Sequence, residues 1–415
     1  MTRTRTPRSK TPSGADWRVV EGGITAPQGY LAAGVSAGIK KKGLDLAVVF
    51  SSQPASAAGI FTLNRVQAAP VILSKENLKH SRGRARAVLI NSGCANACTG
   101  ERGMRDARAS SQCLASHLNL DPTRILIAST GVIGSFLPVP RILKGISAAV
   151  SALNSRGGTA AVRAIMTTDT REKFVAVEGR LAGKTVRIGG MAKGSGMIHP
   201  QMATMLAVIT TDIRVPPGQL SRLLRRTADR TFNCLTIDGD TSTNDTVFLL
   251  ANGASGAAIQ DGRSGSFFER GLALVCEELV KSIARDGEGA TKFIEIVVRG
   301  AADFSAARKA AKAIANSSLV KTALYGEELN WGRILCAVGY SGVPFDPERI
   351  ALNLNGIPVY HNGSPVGSTR SRAEKAMRDH DLQIEVDLAG GHAAAKIWTC
   401  DLSHKYVDIN ASYIS

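Results

Sequence analysis

The 415-residue sequence has no apolar run approaching the ~20 residues of a membrane-spanning helix, so we expect no transmembrane segment. Aromatic residues make up only 5 %, whereas glycine is frequent, at 42 residues, which predicts many tight turns and cores of small side chains. Acidic residues are outnumbered by basic ones, 34 to 51, giving a formal net charge of +17. The 7 cysteines are scattered, as in proteins of a reducing cytosol, and we expect a cytoplasmic location.

The few cysteines also argue against a bound metal. Only Cys94 and Cys98 are close in sequence, and no cluster of histidine or cysteine supplies the two further ligands of a zinc site. We therefore expect thiols that are buried or lie in loops, with no metal and no cofactor.

The excess of positive charge raises the question of a nucleic-acid partner. Basic residues are dispersed apart from residues 1–10 and 40–42, and neither interleaved aromatic residues nor a zinc-finger signature accompanies them. We expect no nucleic-acid or membrane partner, and the positive field favours acidic small substrates. Residues 1–15 are predicted to be a disordered basic tail, because the stretch lacks the apolar segment of a secretory signal and the amphipathic pattern of a transit peptide.

Strands and helices alternate along the rest of the chain with hairpin-like neighbours, which predicts a layered α+β fold. Apolar spacing predicts helices at 217–229 and 266–285. Residues 58–73 are predicted to be extended, with a break at Pro70. In the final stretch, 350–409, strands alternate with a single predicted helix.

One stretch combines a turn-rich loop with an apolar strand. Residues 193–200 are rich in turn-formers, and from Met202 onward apolar and β-branched residues predict a buried strand. Thr204 lies where the loop enters that strand, so its hydroxyl would be presented from a rigid support. On composition alone, Thr204 fits better as an ordinary strand residue of the core.

A long motif distinguishes these alternatives. The segment Lys-Gly-Ser-Gly-Met-Ile-x-Pro-x-Met-Ala-Thr-Met-Leu resembles the self-cleavage segment of the ornithine acetyltransferase family, enzymes of arginine biosynthesis that make N-acetylglutamate. Similar blocks run from Ile24 to Ser415. The resemblance implies a cut between Ala203 and Thr204, an alpha fragment of residues 16–203 after the tail, and a beta fragment of residues 204–415 that begins with the nucleophile.

The chemistry of such a cut is self-consistent. A threonine hydroxyl is a poor nucleophile, and cleavage would give Thr204 a free α-amino group with a pKa near ~8 in peptides. That amine can take the hydroxyl proton, so no separate histidine base is needed. The sequence contains no Gly-x-Ser-x-Gly elbow that would indicate a Ser-His-Asp enzyme.

A predicted strand at 124–128 runs into Thr130 and Gly131, which place a hydroxyl beside an unhindered backbone N–H. Taken alone, the pair is an ordinary strand-ending turn. The resemblance assigns Thr130 and Gly131 to the oxyanion hole, where donors stabilise the charge that develops on the substrate oxygen.

The family resemblance also implies the substrate contacts. These are Thr167 of a Thr-Thr-Asp block, Lys193, Thr204, Glu288 between two glycines, Asn410 and Ser415. The chain departs from the family pattern at Cys94, where asparagine is usual, and at Ser415, where threonine is common.

The activity implied is acetyl transfer from N2-acetylornithine to glutamate through an acyl-threonine, with acetyl-CoA as a possible second donor substrate. The resemblance further implies two packed fragments around stacked sheets, assembled as a heterotetramer of two cleaved pairs. Two alternatives stay open at this point: an N-terminal-threonine amidohydrolase or aminopeptidase, and an uncleaved binding protein without catalytic activity.

Overall fold

The computed structural model describes residues 16–199 and 205–412. The predicted basic tail, the cleavage site Ala203–Thr204 and the terminal residue Ser415 lie outside these ranges.

The described residues form strands and α-helices in alternation. The strands are β1 (Trp17–Val20), β2 (Tyr30–Val35), β3 (Leu46–Phe61), β4 (Arg84–Cys94), β5 (Ile125–Val132), β6 (Lys173–Leu181), β7 (Lys184–Lys193), β8 (Leu206–Thr211), β9 (Thr246–Ala251), β10 (Phe293–Ala301), β11 (Ala351–Leu354), β12 (Ile357–His361), β13 (Ser364–Pro365), β14 (Asp381–Asp387) and β15 (Ala393–Cys400). The helices are α1 (Ala69–His80), α2 (Gly100–Leu118), α3 (Val139–Ser151), α4 (Gly158–Ile165), α5 (Pro217–Arg230), α6 (Gly262–Arg285), α7 (Phe304–Asn316), α8 (Ser318–Tyr325), α9 (Trp331–Gly339), α10 (Arg370–Ala376) and α11 (His404–Ser412).

The larger sheet has the strand order β1-β6-β7-β8-β9-β3-β4-β5, and β2 pairs with β3 alongside it. The long strand β3 pairs first with β2 and then, beyond an irregularity after Phe50, with β9, while β4 follows its other edge. Side chains of β4 and β5 share one hydrophobic core with side chains of β7, β8 and β9, together with α4. The sheet therefore folds over at β3, which brings its two halves face to face.

The smaller sheet has the order β13-β12-β11-β14-β10-β15. Helix α7 packs on β10 and β15, and α6 packs on β6 and β7 of the larger sheet as well as on β15. A capping box of Asp261 and Ser264 starts α6, which satisfies backbone N–H groups of its first turn. One continuous core runs through α5, α6 and α7 and joins the two sheets.

The apolar segment after Met202 forms strand β8, which is covered on both faces. Each of its residues is buried, since one face lies in the core shared with β4 and β5 and the other packs toward α5 and α6. A strand covered on both faces has apolar residues in succession instead of an alternating pattern.

The structure confirms the mixed α+β class and the helices predicted at 217–229 and 266–285, with small shifts at their ends. Two local predictions are wrong. The strand ends at Phe61, before the predicted end of the extended segment. Pro70 lies in the first turn of α1, where backbone N–H groups have no acceptor within the helix, so the missing N–H of proline costs no hydrogen bond. The last stretch contains a second helix, α11, which follows the predicted strands.

The membrane prediction is addressed by the helices themselves. Throughout residues 16–199 and 205–412, no helix combines the length and the apolar character needed to cross a bilayer.

Candidate active site

The loop with the predicted cut connects two neighbouring strands. Lys193 ends β7 and pairs with Leu206, the first residue of β8. Met205 is held by the backbone of β9, because the Thr246 N–H donates to its carbonyl oxygen at 3.0 Å. The chain on both sides of the predicted cleavage site is thus fixed to the sheet.

The carboxyl ends of the parallel strands β4 and β5 carry the predicted oxyanion pair. Gly131 lies opposite Gly93 and has a φ of +128°, and a Cβ atom on Gly131 would lie 2.3 Å from the Gly93 carbonyl carbon. Only glycine fits this approach of two backbones. The hydroxyl of Thr130, beside it, accepts from the Lys193 ammonium at 3.4 Å.

A cavity that is partly open to solvent lies at this point and collects the predicted residues. It is lined by Thr130, Gly131, Thr167, Lys193, Glu288 and Asn410, which include every predicted site residue that lies in the described ranges. The remaining lining residues are Ala95, Ile133, Thr168, Gly196, Met197, Ser242 and Asn244. Segments far apart in sequence therefore meet around one space.

Lys193 is a buried cation at one end of this cavity. Its Nζ donates to the Thr167 hydroxyl at 2.6 Å and lies 4.0 Å from the nearer carboxylate oxygen of Asp169. Burial lowers the pKa of Lys193, and the charge of Asp169 opposes that effect. A buried lysine aimed into a cavity is suited to binding an anionic group of a substrate.

Glu288 and Asn410 form another part of the lining. The Asn410 amide donates to Glu288 Oε2 at 2.9 Å, and the Glu288 backbone N–H donates to the Ser195 carbonyl at 2.8 Å. A Cβ atom on Gly196 would lie 2.3 Å from the same carboxylate, so a larger residue there would displace the Glu288 side chain. The end of α6 and the last helix, α11, therefore build this wall together.

Comparison with known proteins adds to this geometry. The sequence model of the ArgJ family matches residues 31–415. A protein of Thermosynechococcus vestitus named arginine biosynthesis bifunctional protein ArgJ is 47 % identical over 416 residues, spanning 96 % of this chain and 99 % of that protein. The chain belongs to the ArgJ family.

Other relatives extend the same result. A protein of the same name from Symbiobacterium thermophilum is 49 % identical over 397 residues, with 94 % of this chain and 98 % of that protein covered. Among solved structures, ornithine acetyltransferase complexed with ornithine from Mycobacterium tuberculosis is 42 % identical, covers 44 % of this chain and 98 % of the solved chain, and has a TM-score of 0.41.

Asn244 lines the cavity of this ArgJ-family chain, but the sequence analysis did not predict it as a site residue. Its amide donates to the carbonyl oxygens of Ala95, at 2.7 Å, and Ser129, at 2.9 Å, so it ties the segment before β9 to the strand end that carries Thr130. Ser242 lines the cavity from the same segment. The available signal was the Asp-Gly-Asp-Thr-Ser-Thr-Asn-Asp block, which is dense in turn-formers and similar to the family pattern.

Asp238, from the same block, holds the loop that leads to the predicted cut. Its carboxylate accepts from the backbone N–H groups of Met197 at 2.6 Å and Ile198 at 2.8 Å. Met197 has a positive φ of 54°, an uncommon conformation for a residue other than glycine. The carboxylate therefore stabilises a loop shape that the chain would not favour by itself.

Cys94, for which the resemblance led us to expect asparagine, is buried and does not line the cavity. Its thiol donates to the Ser135 carbonyl at 3.2 Å, and burial raises the pKa of the thiol. Among the residues that the structure describes, no group of three or more histidine, cysteine or acidic side chains is placed to hold a metal ion.

Proposed function

We propose a mechanism based on Thr204 for this chain, which is a bifunctional acetyltransferase of arginine biosynthesis: an ornithine acetyltransferase and an amino-acid acetyltransferase. The observation that supports the mechanism best is the cavity in which Thr130, Gly131, Thr167, Lys193 and Glu288 meet beside the strand ends that flank the cut.

Maturation is the first step of the proposal. In the folded precursor the Thr204 hydroxyl attacks the Ala203 carbonyl carbon, and the peptide nitrogen leaves as the acyl group moves to oxygen. Water then hydrolyses the ester, which frees the Ala203 carboxylate and the Thr204 amine. Anchoring of Lys193 and Met205 on neighbouring strands supports this step, because a held loop keeps reacting atoms near one another.

In the mature enzyme the same hydroxyl attacks the acetyl carbonyl of N2-acetylornithine, and the Thr204 amine takes the proton. The Thr130 hydroxyl and the Gly131 N–H donate to the oxyanion, each donor contributing about 3 kcal/mol to transition-state stabilisation. Ornithine leaves with the returned proton. Glutamate then attacks the acetyl-threonine ester, which gives N-acetylglutamate and restores Thr204.

The ends of the cavity would recognise the amino-acid part of the substrates. Lys193, supported by Thr167, pairs with the α-carboxylate, which N2-acetylornithine and glutamate share. Glu288 and Asn410, with Ser415, contact the remainder of the amino acid. Acetyl-CoA, as second donor substrate, would acetylate the same threonine.

The fragments 16–203 and 204–415 would stay together, because β7 and β8 pair across the cut and share one core. We propose that two such cleaved pairs form a heterotetramer in the cytoplasm. Light scattering of the purified enzyme tests this assembly: a mass near twice that of one 43.6 kDa chain supports it.

The decisive experiment is a denaturing gel combined with an acetyl-transfer assay. Wild-type protein should give two bands instead of one band at 43.6 kDa, with the second fragment beginning at Thr204. Thr204→Ala should give one band and no activity. Thr204→Ser, which keeps the hydroxyl, should retain self-cleavage and acetyl transfer, each at a reduced rate. An active, uncleaved wild-type protein would contradict the mechanism.

Kinetics separate the enzyme classes. A transferase with a covalent intermediate shows ping-pong kinetics, and glutamate accelerates the loss of N2-acetylornithine. Equal rates with and without glutamate would identify an amidohydrolase, in which water takes the acetyl group.

A further inference from the structure

Behind the cavity, Asp169 connects the two segments that present Lys193 and Thr167. Its side chain has 0 % exposure and is absent from the cavity lining. One oxygen accepts from the Gly194 backbone N–H at 2.7 Å, and the other from the Thr167 backbone N–H at 3.0 Å. One carboxylate therefore holds both Gly194, which follows Lys193 in sequence, and Thr167, whose hydroxyl accepts from the Lys193 ammonium.

The same carboxylate belongs to a chain of buried charges. Lys173, with a side chain 1 % exposed, lies 2.6 Å from Asp169 and 2.5 Å from Asp286. Asp286 in turn accepts from the Thr170 backbone N–H at 3.0 Å. Buried charges are tolerated when paired and hydrogen-bonded, so Lys173 balances two carboxylates and leaves Asp169 ionised.

Several charged groups surround the Lys193 ammonium. Asp169 and Lys173 face it from the loop before β6 and from β6 itself, Glu288 from the end of α6, Asp245 from the segment before β9, and Lys40 from the connection between β2 and β3. Burial lowers the pKa of Lys193, and among the acidic groups Asp169 has the largest effect in raising it. The two lysines hold the pKa of Asp169 at about 2 although burial alone would raise it.

We propose that Asp169 is a positioning residue, which keeps Lys193 charged and aimed into the cavity for the substrate carboxylate. The inference rests on the proposed function, in which Lys193 binds that carboxylate. Asp169 itself never touches substrate. It acts by holding the Gly194 and Thr167 backbones and by supplying the negative charge that a desolvated ammonium needs.

The consequence is a defined pH effect. A neutral side chain at 169 removes the interaction that raises the pKa of Lys193, so the ammonium loses its proton at lower pH. The alkaline limb of kcat/KM for N2-acetylornithine then moves to lower pH.

The experiment compares Asp169→Asn with Asp212→Asn, a matched control. Asp212 is also buried and accepts from two backbone N–H groups, but these belong to Gln28, at 3.0 Å, and Arg187, at 2.9 Å, instead of Thr167 and the residue next to Lys193. Asp169→Asn should lower kcat/KM for N2-acetylornithine and for glutamate about tenfold and shift the alkaline limb, whereas Asp212→Asn should leave the profile unshifted. The gel should show whether each variant is cleaved.

Lys193→Gln separates the two levels of the proposal. If Lys193→Gln has wild-type kcat/KM, the carboxylate role of Lys193 fails and the role of Asp169 fails with it. If Lys193→Gln is impaired while Asp169→Asn matches Asp212→Asn in rate and pH profile, only the positioning role is overturned. Should Asp169→Asn not fold, Asp169→Glu decides, because it keeps the charge but moves the carboxylate that holds the Gly194 and Thr167 backbones: wild-type kcat/KM for both substrates together with an unshifted alkaline limb overturns the proposal.

Discussion

Two parts of the cavity wall, the end that carries Lys193 and the end that carries Glu288, are built in different ways. At one end, Lys193 is buried and held by Thr167 and Asp169, within a network of charges that is itself buried. At the other, Glu288 is half-buried and Asn410 is exposed on the last helix, and one hydrogen bond joins them.

The difference matches what the substrates have in common. N2-acetylornithine and glutamate share an α-carboxylate but carry side chains of opposite charge. We expect the rigid end to bind the shared group, and the more open end to face the part that varies. A buried, preorganised cation gives strong but unadaptable binding, whereas a solvated carboxylate gives weak attraction that water can screen.

The largest effect is expected at the oxyanion pair. Thr130→Val removes a donor that acts only in the transition state, so kcat should fall roughly 10²–10³-fold while KM changes little. Steady-state kinetics with both substrates measure this. Thr130→Ser keeps the hydroxyl and should recover most of kcat; a Thr130→Val enzyme with wild-type kcat would remove Thr130 from the oxyanion hole.

Lys193→Gln should affect both half-reactions. Loss of a buried, hydrogen-bonded charge pair is worth about 3 kcal/mol, which predicts kcat/KM roughly 100-fold lower for N2-acetylornithine and for glutamate alike. Lys321→Gln is the matched control, because Lys321 is buried elsewhere and donates to the Thr399 hydroxyl at 3.1 Å. A fall in kcat/KM for only one of the two substrates would contradict the prediction that Lys193 binds the carboxylate they share.

Glu288→Gln should discriminate between the substrates. Ornithine carries a side-chain ammonium that a carboxylate attracts, whereas glutamate does not. We expect kcat/KM for N2-acetylornithine to fall about tenfold, equivalent to about 1.4 kcal/mol, and the value for glutamate to change less. Asn410→Asp, which keeps the shape but adds charge, should shift the balance in the opposite direction. Equal losses for both substrates would show that this end reads the shared group as well.

A last effect concerns stability in acid, not catalysis. The pKa of Asp169 is held at about 2 in the folded state, below its unfolded value of 3.8, so its charge stabilises the fold above pH 3.8 and that contribution disappears as the pH falls toward 2. We expect about 2 kcal/mol of the unfolding free energy to be lost over this range and to be absent from Asp169→Asn.

Urea unfolding at pH 5, 4 and 3 measures this contribution. Burial raises the pKa of Asp212, so its charged form destabilises the fold. As the pH falls, the difference in unfolding free energy between wild type and Asp212→Asn should therefore change in the opposite direction. The same trend in both variants would show that the buried charge network does not stabilise the rigid end.

Much of the site could be predicted from sequence because its parts lie in contiguous motifs. The Lys-Gly-Ser-Gly-Met-Ile segment, the Thr130-Gly131 strand end and the glycine-flanked Glu288 are each local patterns. The same holds for α6, whose apolar spacing is regular over many turns. Pro70 was misassigned because proline fits both a strand break and the first turn of a helix, and only packing on β5 selects the helix.

The sequence by itself predicted the chemistry: a hydroxyl at 204, an amine that cleavage would free, and the small-residue turns that precede them. Only the tertiary structure decided which side chains face the cavity. Thr167 and Asp169 are close neighbours in one block, yet Thr167 lines the cavity and Asp169 lies behind it, tied to Lys173 and Asp286. The physical reason is that burial and pairing of charge depend on segments brought together by the fold, and no local pattern records them.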